Sequence, residues 1–237
     1  MISPFKTFGN WSWSLLSVYR SCPYRARLKK IDKSPEPPPE PNDPRTRGIR
    51  VHDNAQKYVE GTGPLTPELA GVEGVLADIK DVRDSGTGIV TLEEPIYLDS
   101  NWRVTTKENR WLVFITDVHV VIPGQLNMTG DYKTGKKFGN ELKHYQQMEL
   151  YCIGEWSVNA AAGTVFDTYT ADLIYVDQKD VVSHEFTPEQ LERARARLDV
   201  EVGRMMADKV HTPRPNRVTC KYCPFSPRGT GACPVGV

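Results

Sequence analysis

An aspartate inside an apolar run, with a second aspartate one hairpin turn away, limits what this chain can fold into more than any other feature. Residues 111–136 read WLVFITDVHVVIPGQLNMTGDYKTGK. Val113, Ile115, Val118, Val120 and Val121 favour a strand, Pro123-Gly124 supplies a turn, and Leu126 to Lys133 returns as a second arm. Asp117 falls deep in the first arm, where a lone carboxylate is costly to desolvate and needs a hydrogen-bonding partner, a cation or a proton. Asp131 and Lys133 are two residues apart and share a face. A two-residue Pro-Gly loop would pair Asp117 with Gly130 and send Asp131 to the opposite face. One extra loop residue, or a bulge, pairs Asp117 with Asp131 instead. That second register also gathers Val118, Val120, Ile122, Leu126 and Met128 on one face, and it is the one expected.

Two carboxylates and an ammonium on one patch suit phosphodiester hydrolysis. The carboxylates can hold a divalent cation that polarises the phosphate and acidifies an attacking water, while the lysine stabilises developing charge or orients that water. A surface salt bridge between Asp131 and Lys133 is the alternative. Asp117 at the matching register and the Lys133-Thr134-Gly135-Lys136 string favour the chemical reading.

Asp117 followed by Asp131-Tyr132-Lys133-Thr134-Gly135-Lys136 resembles the core of the RecB-like branch of the PD-(D/E)XK nucleases, which includes recombination exonucleases and CRISPR-associated adaptation nucleases. The resemblance extends along the chain. Residues 12–33 open with a serine cap signal and carry Leu15, Leu16 and Tyr19 at helical spacing, with a break or new start at Pro23. They are similar to the family's serine-led entry helix, which ends in Cys-Pro-Tyr, here at Cys22. Residues 34–47 are too proline-rich for a helix or central strand and read as an extended connector. A helix then opens at 48–52 and runs to Tyr58; its His52, a structural residue by default, completes the metal site with Asp117 and Asp131 by resemblance.

A further helix is expected over 65–82, from Thr66-Pro67, and a turn at 85–88. Residues 89–98 alternate as a strand, in which Pro95 signals an edge or bulge. The family often carries a glutamate here, so Glu93 or Glu94 is a candidate metal or water ligand beside the plain reading of two solvated acids. Residues 138–157 form a helix whose Gln147 and Tyr151 share a face and resemble the family's Gln-x-x-x-Tyr element beside the metal site. Cys152 reads as a small buried residue. Residues 163–176 predict a strand or strand pair, and Thr187 starts a helix to about residue 210.

Cys220-x-x-Cys223 can chelate one metal centre from a tight turn, and Cys233 adds a third thiolate. The resemblance supplies the fourth, because RecB-like iron–sulfur nucleases take a ligand from the N-terminal cysteine, here Cys22. It implies a [4Fe–4S] cluster, with Zn²⁺ as the open alternative, that joins the two termini. The interval from Cys223 to Cys233 is longer than the family's usual last one.

Thirty basic and thirty acidic residues give zero formal charge, so DNA would have to be held by a local patch rather than by the overall field. Arg193 and Arg197, together with Arg214 and Arg217, are the candidates; a solvated helix face is the competing reading. No signal peptide or membrane span is evident, which leads to an expectation of a cytoplasmic protein, in the host if phage-encoded, whose five cysteines are not a disulfide framework. With no phosphate-binding Gly-Lys loop, any unwinding would fall to a partner such as a helicase or recombination protein. The resemblance implies an α/β protein, with a central mixed sheet flanked by helices, a restriction-endonuclease-like core and a four-cysteine metal centre. One domain is expected over 1–237, with a helix and connector at 1–47 and a cysteine-rich tail at 211–237. By resemblance it is a Mg²⁺- or Mn²⁺-dependent DNA exonuclease acting on single strands or ends. The alternatives are a CRISPR-adaptation nuclease that trims DNA before integration and a non-catalytic DNA-binding accessory protein.

Overall fold

In the computed structural model, residues 7–38 and 43–237 are described. The chain divides into two compact units. One gathers the N-terminal segment, Trp111–Val113 and Ala196–Val237; the other holds the stretch up to Arg110 and Phe114–Arg195. In chain order the helices are α1 (Trp13–Ser21), α2 (Pro23–Lys30), α3 (Pro44–Glu60), α4 (Glu73–Ser85), α5 (Glu141–Ala161), α6 (Pro188–Ala207) and α7 (Arg217–Lys221). The strands are β1 (Ile89–Leu92), β2 (Pro95–Leu98), β3 (Leu112–Ile115), β4 (Val118–Ile122), β5 (Leu126–Lys133), β6 (Tyr169–Tyr175) and β7 (Asp180–Phe186).

The second unit is built on a five-stranded sheet of order β1-β4-β5-β6-β7. Among the described residues of this sheet only β5 and β6 run parallel, and α5 makes the crossover that a parallel pair requires. The β4–β5 hairpin pairs Val118 with Gly130 and Ile122 with Leu126, leaving Pro123-Gly124-Gln125 as a three-residue connection. Gly124, at φ 70°, takes the left-handed position that a side chain would resist. This is the register expected from the apolar pattern. Val118, Val120 and Met128 face a core filled by Val51, Ala55 and Val59 of α3 and by Leu76 and Ile79 of α4. The opposite face, carrying Asp117 and Asp131, belongs to α5. That helix packs so closely that a Cβ on Gly154 would run into the Phe114 ring, so only glycine fits there.

Several elements differ from the sequence expectation. The first arm of the hairpin is not one strand: it breaks at Thr116-Asp117 between β3 and β4, so Asp117 stands at a bend rather than deep in a strand. The strand expected over 89–98 likewise breaks at Glu93, which adopts φ 49°: its first half is the edge β1 of the five-stranded sheet, and Pro95 opens β2, which belongs with β3 to a separate two-stranded sheet. The connector read over 34–47 ends sooner, because Asp43 caps the Arg45 amide and Pro44 occupies the first helical turn, starting α3 four residues before Gly48. Its residues 39–42 lie outside the described residues. The helix expected from Thr66-Pro67 begins only at Glu73, after a 3₁₀ turn at Ala70–Val72. Strand β7 was not anticipated. The start of α6 at Thr187 was, and a capping box forms there: Thr187 Oγ1 accepts from the Gln190 amide at 3.4 Å, and Gln190 Oε1 from the Thr187 amide at 2.8 Å.

In the first unit, Ser12 caps α1, and Cys22 separates α1 from α2. Trp11 bridges the Trp111–Val113 strand segment with hydrogen bonds of 2.8 and 3.0 Å. Arg20 pairs with both Glu201 oxygens at 2.6 Å, and the Tyr19 hydroxyl donates to Asp208 at 2.7 Å. None of the described helices is long and apolar enough to cross a membrane.

Candidate active site

The backbone of Tyr132, between Asp131 and Lys133, fixes two of the site's side chains at once. Its amide donates to Asp117 Oδ2 at 2.6 Å, and its carbonyl lies 2.9 Å from His52 Nε2. A carbonyl can only accept, so Nε2 carries the hydrogen and Nδ1 is aimed at the acids. It meets Asp117 Oδ1 at 3.2 Å and Glu93 Oε1 at 3.7 Å. Ligand atoms of His52, Glu93 and Asp117 all lie within 4.8 Å of one another, the only such His/Cys/Asp/Glu group among the described residues. One imidazole and two carboxylates suit a hard divalent cation of the Mg²⁺ or Mn²⁺ type.

The acids crowd one another. Burial and the Asp117 charge raise the Glu93 carboxyl, and burial pushes Asp131 up to about 6 against the pull of Lys133. Burial disfavours a charge on His52, but the hydrogen bond and charge of Asp117, with Asp131 and Glu93 behind, outweigh it and lift His52 to about 9. Such a concentration of carboxylates invites a cation.

Beside this group runs a second, hydrogen-bonded one. Lys133 forms an ion pair with Asp131 and donates to Gln147 Oε1 at 2.9 Å. The Gln147 amide donates in turn to Asp131 Oδ1 at 2.9 Å and to the Tyr151 hydroxyl at 2.8 Å. Tyr151 stacks on Phe114, and burial raises its hydroxyl well above the usual range. The structure therefore brings Asp117, His52, Asp131, Lys133, Gln147 and Tyr151 into one neighbourhood. It does not put Asp131 in the compact three-ligand set; Glu93 stands there instead, and Glu94 does not. The signal was present in the sequence, because a break beside paired acids frees one of them to turn inward, but alternation alone could not say which.

The α5 stripe continues from Gln147 and Tyr151 to Glu155, which is fully buried and faces His119 Nδ1 at 3.3 Å. Burial pushes Glu155 up to about 8 and His119 down to about 4. A carboxyl raised in this way favours the fold while it keeps its proton. Its contribution is fully present below 4.5 and is lost as pH rises through about 8. Urea midpoints measured at pH 5 and 9 should fall more for the wild type than for Glu155→Gln.

The cysteine set lies in the first unit. Cys22, Cys220, Cys223 and Cys233 line one pocket with Arg25 and Pro213, and Cys22 Sγ accepts from the Arg214 amide at 3.5 Å. Cys152 is buried in the other unit. Of the candidate DNA-contacting arginines, all exposed, Arg193 belongs to the second unit and Arg197, Arg214 and Arg217 to the first.

A sequence model of the PD-(D/E)XK nuclease superfamily matches residues 10–113 and 128–228. This chain belongs to that superfamily. The PD-(D/E)XK match covers His52, Glu93, Asp131, Lys133, Gln147 and Tyr151, and steps over the hairpin arm bearing Asp117. No curated protein matches the sequence. Among solved structures, a "Putative exonuclease" from Eubacterium rectale is 14% identical with a TM-score of 0.55, over 90% of this chain and 86% of that one. The crystal structure of SSO0001 is 12% identical with a TM-score of 0.42, over 98% and 89%. At these identities the E. rectale likeness concerns the fold, a mixed sheet flanked by helices as PD-(D/E)XK cores have.

Proposed function

We propose that this PD-(D/E)XK protein is a DNA exonuclease of the RecB-like branch, dependent on Mg²⁺ or Mn²⁺ and acting on single strands or ends. The observation that carries the reading is the compact His52–Glu93–Asp117 ligand set next to the Asp131–Lys133–Gln147 network. The name of the E. rectale structure supports the exonuclease assignment. A cation held by His52, Glu93 and Asp117, with Asp131 alongside, would supply Lewis acidity to the phosphate and the attacking water. Lys133 offers its ammonium to the charge that develops on a phosphoryl oxygen, or aligns the water. Gln147 holds both Lys133 and Asp131 in place, and Tyr151 anchors Gln147. The Tyr132 peptide keeps Asp117 and His52 from turning away. End-labelled single- and double-stranded DNA should shorten progressively from a terminus with Mg²⁺ or Mn²⁺ and stay intact in EDTA. Metal-independent cleavage, or none, would sink the assignment.

The four cysteines in one pocket support a metal centre in the first unit. A tetrahedral zinc, with Zn–S near 2.3 Å, needs all four sulfurs within about 3.8 Å of one another. Among the described residues, no three of these sulfurs lie within 4.8 Å. The resemblance of Cys22, Cys220, Cys223 and Cys233 to the ligands of the iron–sulfur nucleases favours [4Fe–4S], with zinc as the alternative. Because the chain is neutral, DNA affinity would come from Arg193, Arg197, Arg214 and Arg217. Binding in EDTA should weaken steeply with salt, and charge reversal at Arg193 and Arg197 should reduce the slope by about one to two. A flat salt dependence would make these arginines a solvated face.

A further inference from the structure

A second concavity, of about 440 Å³, opens on the face of the sheet that carries the catalytic acids, between β4 and α5. Its walls are the chain neighbours of the proposed ligands. Glu94 follows Glu93, Thr116 precedes Asp117, and His119 lies two residues along β4, roughly 7 Å further at strand spacing. Ile96, Val121 and Val158 give it apolar surface. Glu155 lines it too, fully buried: its Oε2 faces His119 Nδ1 at 3.3 Å, while Oε1 has no hydrogen-bonding partner among the described residues. A buried polar group without a hydrogen-bonding partner costs about 1–3 kcal/mol and calls for one.

The lining chooses among ligands. No lysine or arginine among the described residues takes part, and Glu94 would repel a phosphate. A cation fits poorly as well, because Glu94, His119 and Glu155 do not bring three ligand atoms all within 4.8 Å of one another among the described residues. What remains is a flat, uncharged group with hydrogen-bonding edges and apolar faces, of a size this cavity can hold. We propose that the pocket receives the nucleobase of the nucleotide next to the scissile phosphate, so that the protein grips one splayed base of a single strand. The proposal rests on the nuclease reading for its register: a phosphodiester at the His52–Glu93–Asp117 group places the adjoining nucleotide over Thr116 and His119. Burying a base between aliphatic walls and polar edges follows the pattern of enzymes that take a base out of the stack.

A walk of single abasic sites along an end-labelled strand tests this in the full-length protein with Mg²⁺ or Mn²⁺. Cleavage should slow about tenfold when the abasic site adjoins the scissile bond, and little elsewhere. Val158→Phe, which fills the pocket from α5 and touches none of the proposed catalytic groups, should slow cleavage of ordinary DNA to a similar degree. The same variant should cut the abasic strand as the wild type does, which also shows that it is folded. If the wild type cleaves but is indifferent to abasic position, or the variant keeps full sensitivity, the base pocket falls and the nuclease reading stands. A parallel arm in EDTA, free of any catalytic requirement, measures binding of the same oligonucleotides by fluorescence anisotropy. There Val158→Phe should bind intact strand several-fold more weakly and abasic strand equally, and unchanged affinity for intact strand overturns the pocket whether or not the protein cleaves DNA.

Discussion

Lys133→Ala should lower DNA cleavage by at least about 10²–10³-fold, the scale on which removing one charge-stabilising donor acts. Gel assays of end-labelled DNA at saturating Mg²⁺ or Mn²⁺ would measure it. If the ammonium meets charge that is greatest in the transition state, the loss should sit in kcat. Asp117 needs a more careful substitution. Alanine there would leave the Tyr132 amide unpaired and release His52, so folding and chemistry would fall together. Asp117→Asn keeps an oxygen for the Tyr132 amide while removing the charge, and it should abolish cleavage with an unfolding midpoint close to that of the wild type. Glu93→Gln should do the same if Glu93 is a ligand. Full activity in Glu93→Gln, beside an inactive Asp117→Asn, would return the third ligand to Asp131.

The hairpin register was legible because its arms carry a period-two pattern that only one loop length satisfies. Val118, Val120 and Met128 had to face one way, and the three-residue connection followed. His52 and the Gln147–Tyr151 pair were legible through the resemblance and through helical spacing, which the Gln147–Tyr151 hydrogen bond now makes concrete. What periodicity could not register were the interruptions. Thr116-Asp117 and Glu93-Glu94 lie in runs of strand-forming residues, yet the chain bends at both, and each bend turns an acid toward His52. Local propensity is satisfied by a continuous strand; desolvation of two carboxylates is not, and the broken strands place them where they share a partner. The late start of α4 has a similar cause. Thr66-Pro67 is a sound helix signal, but two successive three-residue turns, Leu69 to Thr66 and Val72 to Leu69, consume it before Glu73. The buried Glu155–His119 pair escaped altogether, because neither residue stands in a motif and only packing of α5 on β4 brings them together.

Anaerobically purified protein should be brown, with about four iron and four sulfide per chain, and Cys220→Ser or Cys223→Ser should bleach it. Cys22 ends α1, whereas Cys220 and Cys223 flank the end of α7 and Cys233 follows in the tail, so a centre in their shared pocket closes a loop of nearly the whole chain. In the chain-entropy account a cross-link of that span contributes on the order of 5 kcal/mol. Its loss should therefore be felt first in the N-terminal helices and the C-terminal tail, while the β4–β5 hairpin, held by its own sheet and the α3–α4 core, keeps its protection. Hydrogen exchange on Cys220→Ser would separate these regions, and equal loss in both would show that the centre does not act locally. Cys22→Ser is the sharper test. Undiminished iron in that variant would remove Cys22 from the set and leave three tail thiolates in need of another ligand. Colourless protein with one zinc would keep all four cysteines and require their sulfurs to draw in to zinc distances.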